Sequence, residues 1–97
     1  MNKENILRGK VLDLLRKFYP DGVDEASIVS ILFQYHKIYD IQAALEYLKD
    51  KEYLLKKTQP HPFVMQEHVV WYKISPNGID LLEGNIQPDP GILVQQG

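Results

Sequence analysis

Few side chains in this sequence have the spacing that catalysis or metal binding requires. The histidines His36, His61 and His68 are nowhere four residues apart, and no cluster of carboxylates accompanies them. A helical zinc site usually places two histidines one turn apart on one face. Asp80 and Glu83 are one helical turn apart, but such a pair on a short helix is usually solvated. We therefore expect no catalytic residue, no metal site, no cofactor and no enzyme activity.

Hydrogen bonding to nucleic acid has better candidates, most of them within residues 41–57. Gln42 can pair with the edge of a base, and Lys49 can reach a base or a phosphate. Glu46 lies between them on the same stretch. Lysines suited to phosphate contacts occur nearby and further along the chain: Lys56, Lys57 and Lys73. These six residues can act together only if one helix and one hairpin bring them to the same surface.

The pattern of residues 41–57 changes from helix to strand. Apolar residues first recur at spacings of three and four, which predicts a helix with one buried face: Ile41, Ala44, Leu45 and Leu48. Asp40 stands where the N-cap of that helix is expected. Residues 53–57 are too few and too bulky for another helix and predict a strand. A helix that leads into a strand is typical of a winged helix-turn-helix.

The flanking segments complete this architecture. Helices are predicted over residues 2–19 and from Glu25 to about Tyr35, the second capped by Asp24. Residues 69–74 alternate as a strand, and two prolines in residues 58–68 predict a long wing loop. Ser75 and Pro76 form a helix start signal, and Gly84 a stop. We predict an α+β winged helix over residues 1–84, with a three-helix core, a β-hairpin wing and a C-terminal helix. Residues 85–97 are expected to form an extended or disordered tail.

Length and composition fit one small domain. The chain has 97 residues, 44% of them apolar and 25% charged, and no cysteine. This composition is ordinary for a globular protein and fits a reducing compartment. No apolar run approaches the roughly 18 residues that span a bilayer. We therefore expect a cytoplasmic protein without membrane contact.

The charge distribution argues against a strong nucleic-acid binder. The formal net charge is −2, whereas such proteins are usually basic. Residues 40–52 contain four acidic residues and two lysines. Residues 2–19 instead carry five positive and two negative charges. The positive charges therefore lie mainly outside the helix that would read DNA.

Two segments resemble bacterial winged-helix regulators of the PadR and MarR groups. The sequence YKISPNGIDLL, residues 72–82, is similar to the segment Y-x-(I/L)-(T/S)-x-x-G that ends their wing. The sequence LEYLKDKEYLL, residues 45–55, is similar to their passage L-x-x-L-x-x-x-G-(Y/L)-(V/I), with Glu52 in place of the glycine. The whole chain also resembles small winged-helix proteins of Mu-like prophages. The resemblance implies a winged-helix fold over about residues 5–84 and a DNA-binding regulator or prophage accessory protein.

Trp71 supports an alternative function. Alternation along residues 69–74 places Trp71 opposite Tyr72 and Ile74, which are assigned to the core. Trp71 would then be exposed near Val69 and Phe63, and large exposed apolar groups often mark a partner surface. The other readings are an incorrect register or a C-terminal tail that covers Trp71.

The interpretation from sequence is a small regulator that binds double-stranded DNA. Gln42, Glu46 and Lys49 would face the major groove, while Lys56, Lys57 and Lys73 would hold phosphates. A homodimer is expected because one domain of this size reads only a half-site. The alternative is a protein-interaction module of the same fold that binds its partner through Trp71, Val69 and Phe63.

Overall fold

The computed structural model describes residues 2–94 and contains four helices and a three-stranded sheet. The elements in chain order are α1 (Lys3–Phe18), β1 (Val23–Asp24), α2 (Glu25–Leu32), α3 (Ile38–Asp50), β2 (Leu54–Pro60), β3 (His68–Ile74) and α4 (Pro76–Glu83). The sheet is antiparallel with the order β1-β3-β2. This arrangement confirms the predicted α+β winged helix.

The core lies between α1, α3 and the inner face of the sheet. Each of these elements contributes side chains that are at most 2% exposed: Leu7, Val11, Leu12, Leu15, Ile41, Leu45, Leu48, Leu54, Tyr72 and Ile74. The predicted apolar face of α3 is confirmed, since Ile41, Leu45 and Leu48 have no exposed surface. Burial of this kind stabilises a fold by about 1.5–3 kcal/mol for each large apolar side chain.

The predicted ends of α4 are confirmed. The Ser75 hydroxyl accepts a hydrogen bond from the Gly78 N–H at 3.0 Å, and Pro76 occupies the first helical position. The helix ends at Gly84, whose φ of 77° is the left-handed conformation that glycine adopts easily. A side chain at Gly78 would collide with the Tyr53 carbonyl. The glycine of the regulator-like segment is therefore needed for close packing.

The start of α3 differs from the prediction. The helix begins at Ile38 and its N-cap is Lys37, which makes no side-chain capping bond. Asp40 is thus not the N-cap but lies in the first turn, where its charge still interacts favourably with the helix dipole. The helix gains three residues at the end that would approach DNA.

The wing strands are longer, and α2 is shorter, than predicted. β2 extends to Pro60 and β3 begins at His68. Proline is tolerated at Pro60 because β2 is an edge strand and the residue ends it. Helix α2 stops at Leu32 instead of near Tyr35, and a turn leads to α3. The connection of five residues, 33–37, suits a helix-turn-helix.

The end of α3 closes through Glu52 in a left-handed conformation. Its φ is 66°, although non-glycine residues pay about 1–2 kcal/mol for that geometry. The Tyr53 N–H donates to the Leu48 carbonyl at 2.9 Å, and the Glu52 N–H donates to the Lys49 carbonyl at 2.9 Å. Glutamate therefore takes the backbone role that the resembling regulators give to glycine.

The part of the chain after α4 packs against α1. Ile92 is 7% exposed and belongs to the core cluster. The Leu93 N–H donates to the Asn5 carbonyl at 3.0 Å, and the Asn5 amide donates to the Pro90 carbonyl at 3.1 Å. Gly9 lies so close to the Leu93 carbonyl that no side chain would fit there. Residues 85–94 thus have no regular helix or strand but are held in place, while residues 95–97 of the predicted tail lie outside the described range.

Candidate nucleic-acid interface

The solvent-facing side of α3 carries the residues predicted to read DNA. Gln42, Glu46 and Lys49 are half-buried and follow one another at spacings of four and three, so they share one helical face. Tyr39 extends this face toward the N-terminus and is 79% exposed. The structure therefore brings the three predicted α3 residues together on the side of α3 away from the core.

Glu46 is the centre of an ion cluster on this face. Its carboxylate accepts hydrogen bonds from Lys56 Nζ at 2.9 Å and from the Tyr72 hydroxyl at 3.3 Å. Lys49 Nζ lies 3.1 Å from the other carboxylate oxygen and 3.3 Å from Asp50. Lys49 and Lys56 are therefore already neutralised by acidic neighbours within the domain.

The electrostatic effect of this cluster is large for a surface group. Hydrogen bonds from Lys56 and Lys49 lower the pKa of Glu46 from 4.5 to about 2. The same contacts raise the pKa values of both lysines. All three groups are charged at neutral pH, so the cluster with Asp50 has no net positive charge to attract phosphates.

The six predicted DNA contacts do not share one surface. In the β2–β3 register Lys56 lies opposite Tyr72, Lys57 opposite Trp71, and Leu55 opposite Lys73. Because side chains alternate between faces, Lys56 points to the α3 side with the buried Tyr72. Lys57 and Lys73 point to the other face of the sheet. The structure groups Lys56 with the α3 residues and separates Lys57 and Lys73 from them.

The tip of the wing is an ordered loop with exposed apolar side chains. Phe63 and Met65 are each 90% exposed. His61 Nδ1 accepts hydrogen bonds from the N–H groups of Phe63 and Val64, both at 3.0 Å. The His61 N–H also donates to the Glu67 carbonyl at 2.8 Å and closes the loop. His61 therefore holds the loop at the tip through Nδ1, which is the acceptor of both hydrogen bonds.

The predicted partner residues are divided between two places. Val69 and Trp71 lie on the same face of β3, whereas Phe63 is in the loop at the tip. The predicted register is correct, because Tyr72 and Ile74 are buried. Trp71 itself is half-buried and not fully exposed. Its neighbours across the sheet are Asp24 of β1 and Lys57 of β2, which cover its flanks.

Several positive charges of α1 make contacts within the domain. The Arg8 guanidinium stacks over the Tyr47 ring at 3.6 Å and donates to the Gly91 carbonyl at 3.1 Å. Arg16 pairs with Glu83 at 3.2 Å. These arginines therefore link α1 to α3, to α4 and to the C-terminal segment.

The structure adds Lys37 and Tyr39 to the candidate surface. Both are exposed at the N-terminal end of α3, the end that commonly approaches base edges in a helix-turn-helix. The sequence contained a signal for them, since Ile38 continues the spacing of three and four that runs through Ile41 and Leu45. The prediction instead started the helix after Asp40, because the Asp40 carboxylate is a suitable N-cap acceptor.

Within residues 2–94, no group of three or more histidine or acidic side chains is arranged to hold a metal ion. No helix in that range is long and apolar enough to cross a membrane.

The comparisons with known proteins identify a similar fold. No protein-family model and no curated protein matches the sequence. Among solved structures, Bacillus subtilis PadR in complex with operator DNA matches with a TM-score of 0.67 and 21% sequence identity. The match covers 93% of this chain but 53% of the PadR chain, so this chain spans about half the length of that protein. The predicted resemblance is confirmed at the level of architecture: the chain has a PadR-like winged-helix fold.

Proposed function

We propose that this domain binds double-stranded DNA as a small transcription regulator. The similarity to a PadR structure solved with operator DNA carries the proposal, because it extends over nearly the whole chain. The helix-turn-helix and the wing are both present, and α3 has a polar, solvent-facing side. The proposed mechanism is binding without any chemical step.

The proposed contact surface is the α3 side of the domain. Gln42 and Tyr39 are placed to reach base edges in the major groove, and Gln42 suits adenine. Lys37 at the start of the helix and Lys56 on the wing would contact phosphates. Lys57 and Lys73 are left out of this surface because they face away from α3.

Glu46 makes this surface weak for non-specific binding. A phosphate that approaches Lys49 or Lys56 must compete with a carboxylate only 2.9–3.1 Å away. Each lysine therefore loses one strong contact when it gains another. We propose that Glu46 lowers the affinity for DNA of arbitrary sequence. At a matching site, hydrogen bonds between a base edge and the side chains of the α3 face would compensate for this loss of affinity.

A homodimer is part of the proposal. One winged helix contacts a single half-site, and regulators usually reach useful affinity by pairing two half-sites about one helical turn apart. The domain offers a single reading helix. A palindromic duplex should consequently bind two copies of the chain.

An NMR titration with a mixed-sequence duplex tests the proposal. Amide shifts should appear at Lys37, Tyr39, Gln42 and Lys56 at low salt and fade as salt is added, because counterion release weakens phosphate binding. The amides of Lys57 and Lys73 serve as internal controls and should shift less. Unchanged spectra at low salt would contradict DNA binding by this domain.

The second candidate function is binding to another protein. The neutral ion cluster on α3 favours it, because a dedicated DNA surface is usually positively charged. The same titration separates the two functions. Absence of any duplex-dependent amide shift at low salt would favour the protein-binding function over DNA binding.

A further inference from the structure

The face of the sheet that points away from α3 combines apolar and positively charged side chains. We call it the outer sheet face, formed by Leu55, Lys57, Gln59, Trp71 and Lys73. These residues line an open depression of about 580 Å³. Leu55 is 48% exposed and Trp71 is half-buried, so the depression has an apolar floor that solvent can reach.

The two lysines of the outer sheet face are available to a partner. Lys57 lies directly opposite Trp71, and Lys73 lies two residues along the strand from Trp71, opposite Leu55. Within residues 2–94, every lysine that pairs with a carboxylate is elsewhere: Lys49, Lys51 and Lys56. The outer sheet face therefore has two positive charges near one large aromatic ring. Asp24 of β1 lies opposite Trp71, and its carboxylate accepts hydrogen bonds from Ser27. No carboxylate of the described residues forms a salt bridge with Lys57 or Lys73.

The adjacent edge of the sheet is open. β2 is an edge strand, and its residues 54–60 make backbone hydrogen bonds to β3 but to no other element in the described part of the chain. An open edge presents unpaired N–H and C=O groups to which an extended segment can add. Pro60 lacks an N–H, so the usable edge is residues 54–59.

We propose that the β2 edge and the outer sheet face bind an extended acidic segment of a partner protein. The segment would pair with β2 as a fourth strand. An apolar side chain of the segment would cover Trp71 and Leu55, and flanking carboxylates would pair with Lys57 and Lys73. The proposal gives the second candidate function a partner class and rests on that function, and it is independent of DNA binding by α3.

The geometry favours an acidic peptide over single-stranded nucleic acid. Single strands are usually held by several aromatic rings on which successive bases stack. Trp71 is the one tryptophan of the chain, and its partners across the sheet are the charged residues Asp24 and Lys57. Nucleic acid also has no backbone that can pair with the edge of a sheet. The open edge and the positive charges together match a strand that carries Asp or Glu.

Trp71 fluorescence provides a direct test with the intact chain. The probe is a synthetic peptide without tryptophan, long enough to pair with residues 54–59, in which Asp and Glu flank a central Phe. We expect the emission of Trp71 to shift to shorter wavelength as the ring becomes covered. The charge control is a peptide with Lys in place of every Asp and Glu. The backbone control is a peptide in which the backbone N–H groups that would pair with β2 are N-methylated. Both should bind at least about tenfold more weakly.

The matched variants locate the site. The double substitution Lys57→Glu and Lys73→Glu should weaken binding of the acidic peptide by about tenfold or more and strengthen binding of the Lys peptide. The control Lys3→Glu and Lys17→Glu makes the same charge change on α1 and should leave peptide binding nearly unchanged. NMR spectra recorded in parallel show whether each variant is folded, and amide shifts at Leu55 and Trp71 of the native protein report binding independently of fluorescence.

The peptide and DNA titrations distinguish binding of an acidic segment from binding of other proteins and from binding of DNA. No binding of the acidic peptide up to about 1 mM would overturn it. Equal binding of the N-methylated peptide would overturn strand addition. If the Lys peptide binds more tightly than the acidic peptide, the partner is not an acidic segment, although the surface still binds protein. If an oligothymidine shifts the emission of Trp71 more strongly than the acidic peptide does, single-stranded DNA is the partner instead of an acidic protein segment. A duplex titration on the same sample reports DNA binding by α3 independently.

Discussion

The Glu46 carboxylate of α3 and the Lys56 ammonium of β2 meet at 2.9 Å across the junction between α3 and the wing. Lys49 approaches the same carboxylate from one turn further along α3. A single acidic residue thus fixes the wing strand to the helix and neutralises two lysines that could otherwise hold phosphates. We therefore expect substitution of Glu46 to change both the stability of the domain and the affinity for DNA that we propose.

Replacement of Glu46 by Gln should make stability less dependent on pH. The pKa of Glu46 is lowered from 4.5 to about 2, so its charged form stabilises the fold above pH 4.5 and this contribution is lost as pH falls toward 2. The side chain is 45% exposed, and solvent screening limits the effect to about 1 kcal/mol or less. Urea unfolding of both proteins between pH 2 and 7 measures it.

The control for this substitution is Glu83→Gln. Glu83 also pairs with an exposed cation, Arg16, at 3.2 Å, but this pair joins α4 to α1 and is separate from the cluster around Glu46. The difference in unfolding free energy between the native protein and Glu46→Gln should vanish near pH 2. A difference that persists unchanged at that pH would contradict the ion-cluster account.

Replacement of Glu52 by Gly should stabilise the domain. Glu52 has a φ of 66°, and glycine adopts this conformation without the steric cost of a Cβ atom. We expect a gain of about 0.5–1 kcal/mol in the free energy of unfolding, measured by urea denaturation. Glu52→Ala keeps the Cβ atom and should not stabilise. A gain of equal size in both variants would attribute the effect to the lost charge instead.

Replacement of Gly9 by Ala should destabilise the domain by displacing the C-terminal segment. A methyl group at this position would collide with the Leu93 carbonyl. In an isolated helix the same change is favourable by about 1 kcal/mol. Ile92→Asp should release the segment, since Ile92 is 7% exposed. In that background Gly9→Ala should become neutral or stabilising, and a cost that remains the same would contradict the close contact.

Replacement of Tyr53 by Phe should remove a tyrosine that ionises late. Burial, together with the hydrogen bond to Asp89 at 3.0 Å, raises the pKa of Tyr53 to about 12. Its neutral form stabilises the fold below pH 10, and that contribution is lost between pH 10 and 12. Burial also raises the pKa of Tyr72, so ultraviolet titration should show a late-ionising absorbance that Tyr53→Phe reduces without abolishing it.

The same substitution should cost about 1 kcal/mol at neutral pH. Burial raises the pKa of Asp89, but the Gly91 N–H, the Tyr53 hydroxyl and Lys51 lower it below its usual value overall. Phe at position 53 would leave the carboxylate with two of these three partners. An unchanged unfolding free energy would show that the hydrogen bond to Tyr53 adds nothing to stability.

The features that depend on local pattern were predictable from sequence. The buried face of α3, the Ser75 cap and the alternation around Tyr72 follow from periodicity and capping chemistry within a few neighbouring residues. The start of α3 was mispredicted for the same kind of reason. Asp40 is a strong capping residue, yet the helix begins at Ile38, which is exposed, after an N-cap at Lys37 that makes no side-chain capping bond.

The features that depend on the meeting of distant elements were not predictable. Arg8 stacks on Tyr47 and contacts Gly91 only because α1, α3 and the C-terminal segment converge. The contact of Glu46 with Lys56 requires the angle at which α3 passes into β2. Sequence reasoning assigned Lys56 and Lys57 to one phosphate-binding set, whereas strand alternation places them on opposite faces.

The most direct test of the account is the binding of a fluorescein-labelled duplex, measured by anisotropy at several salt concentrations with the native protein, Glu46→Gln and Glu83→Gln. Glu46→Gln frees Lys56 and leaves Lys49 paired with Asp50 alone. Non-specific binding by this variant should therefore tighten several-fold, and its salt dependence should steepen by about one phosphate contact. Glu83→Gln should behave like the native protein. Loss of binding in Glu46→Gln, or no binding by any of the three at low salt, would contradict DNA recognition through α3.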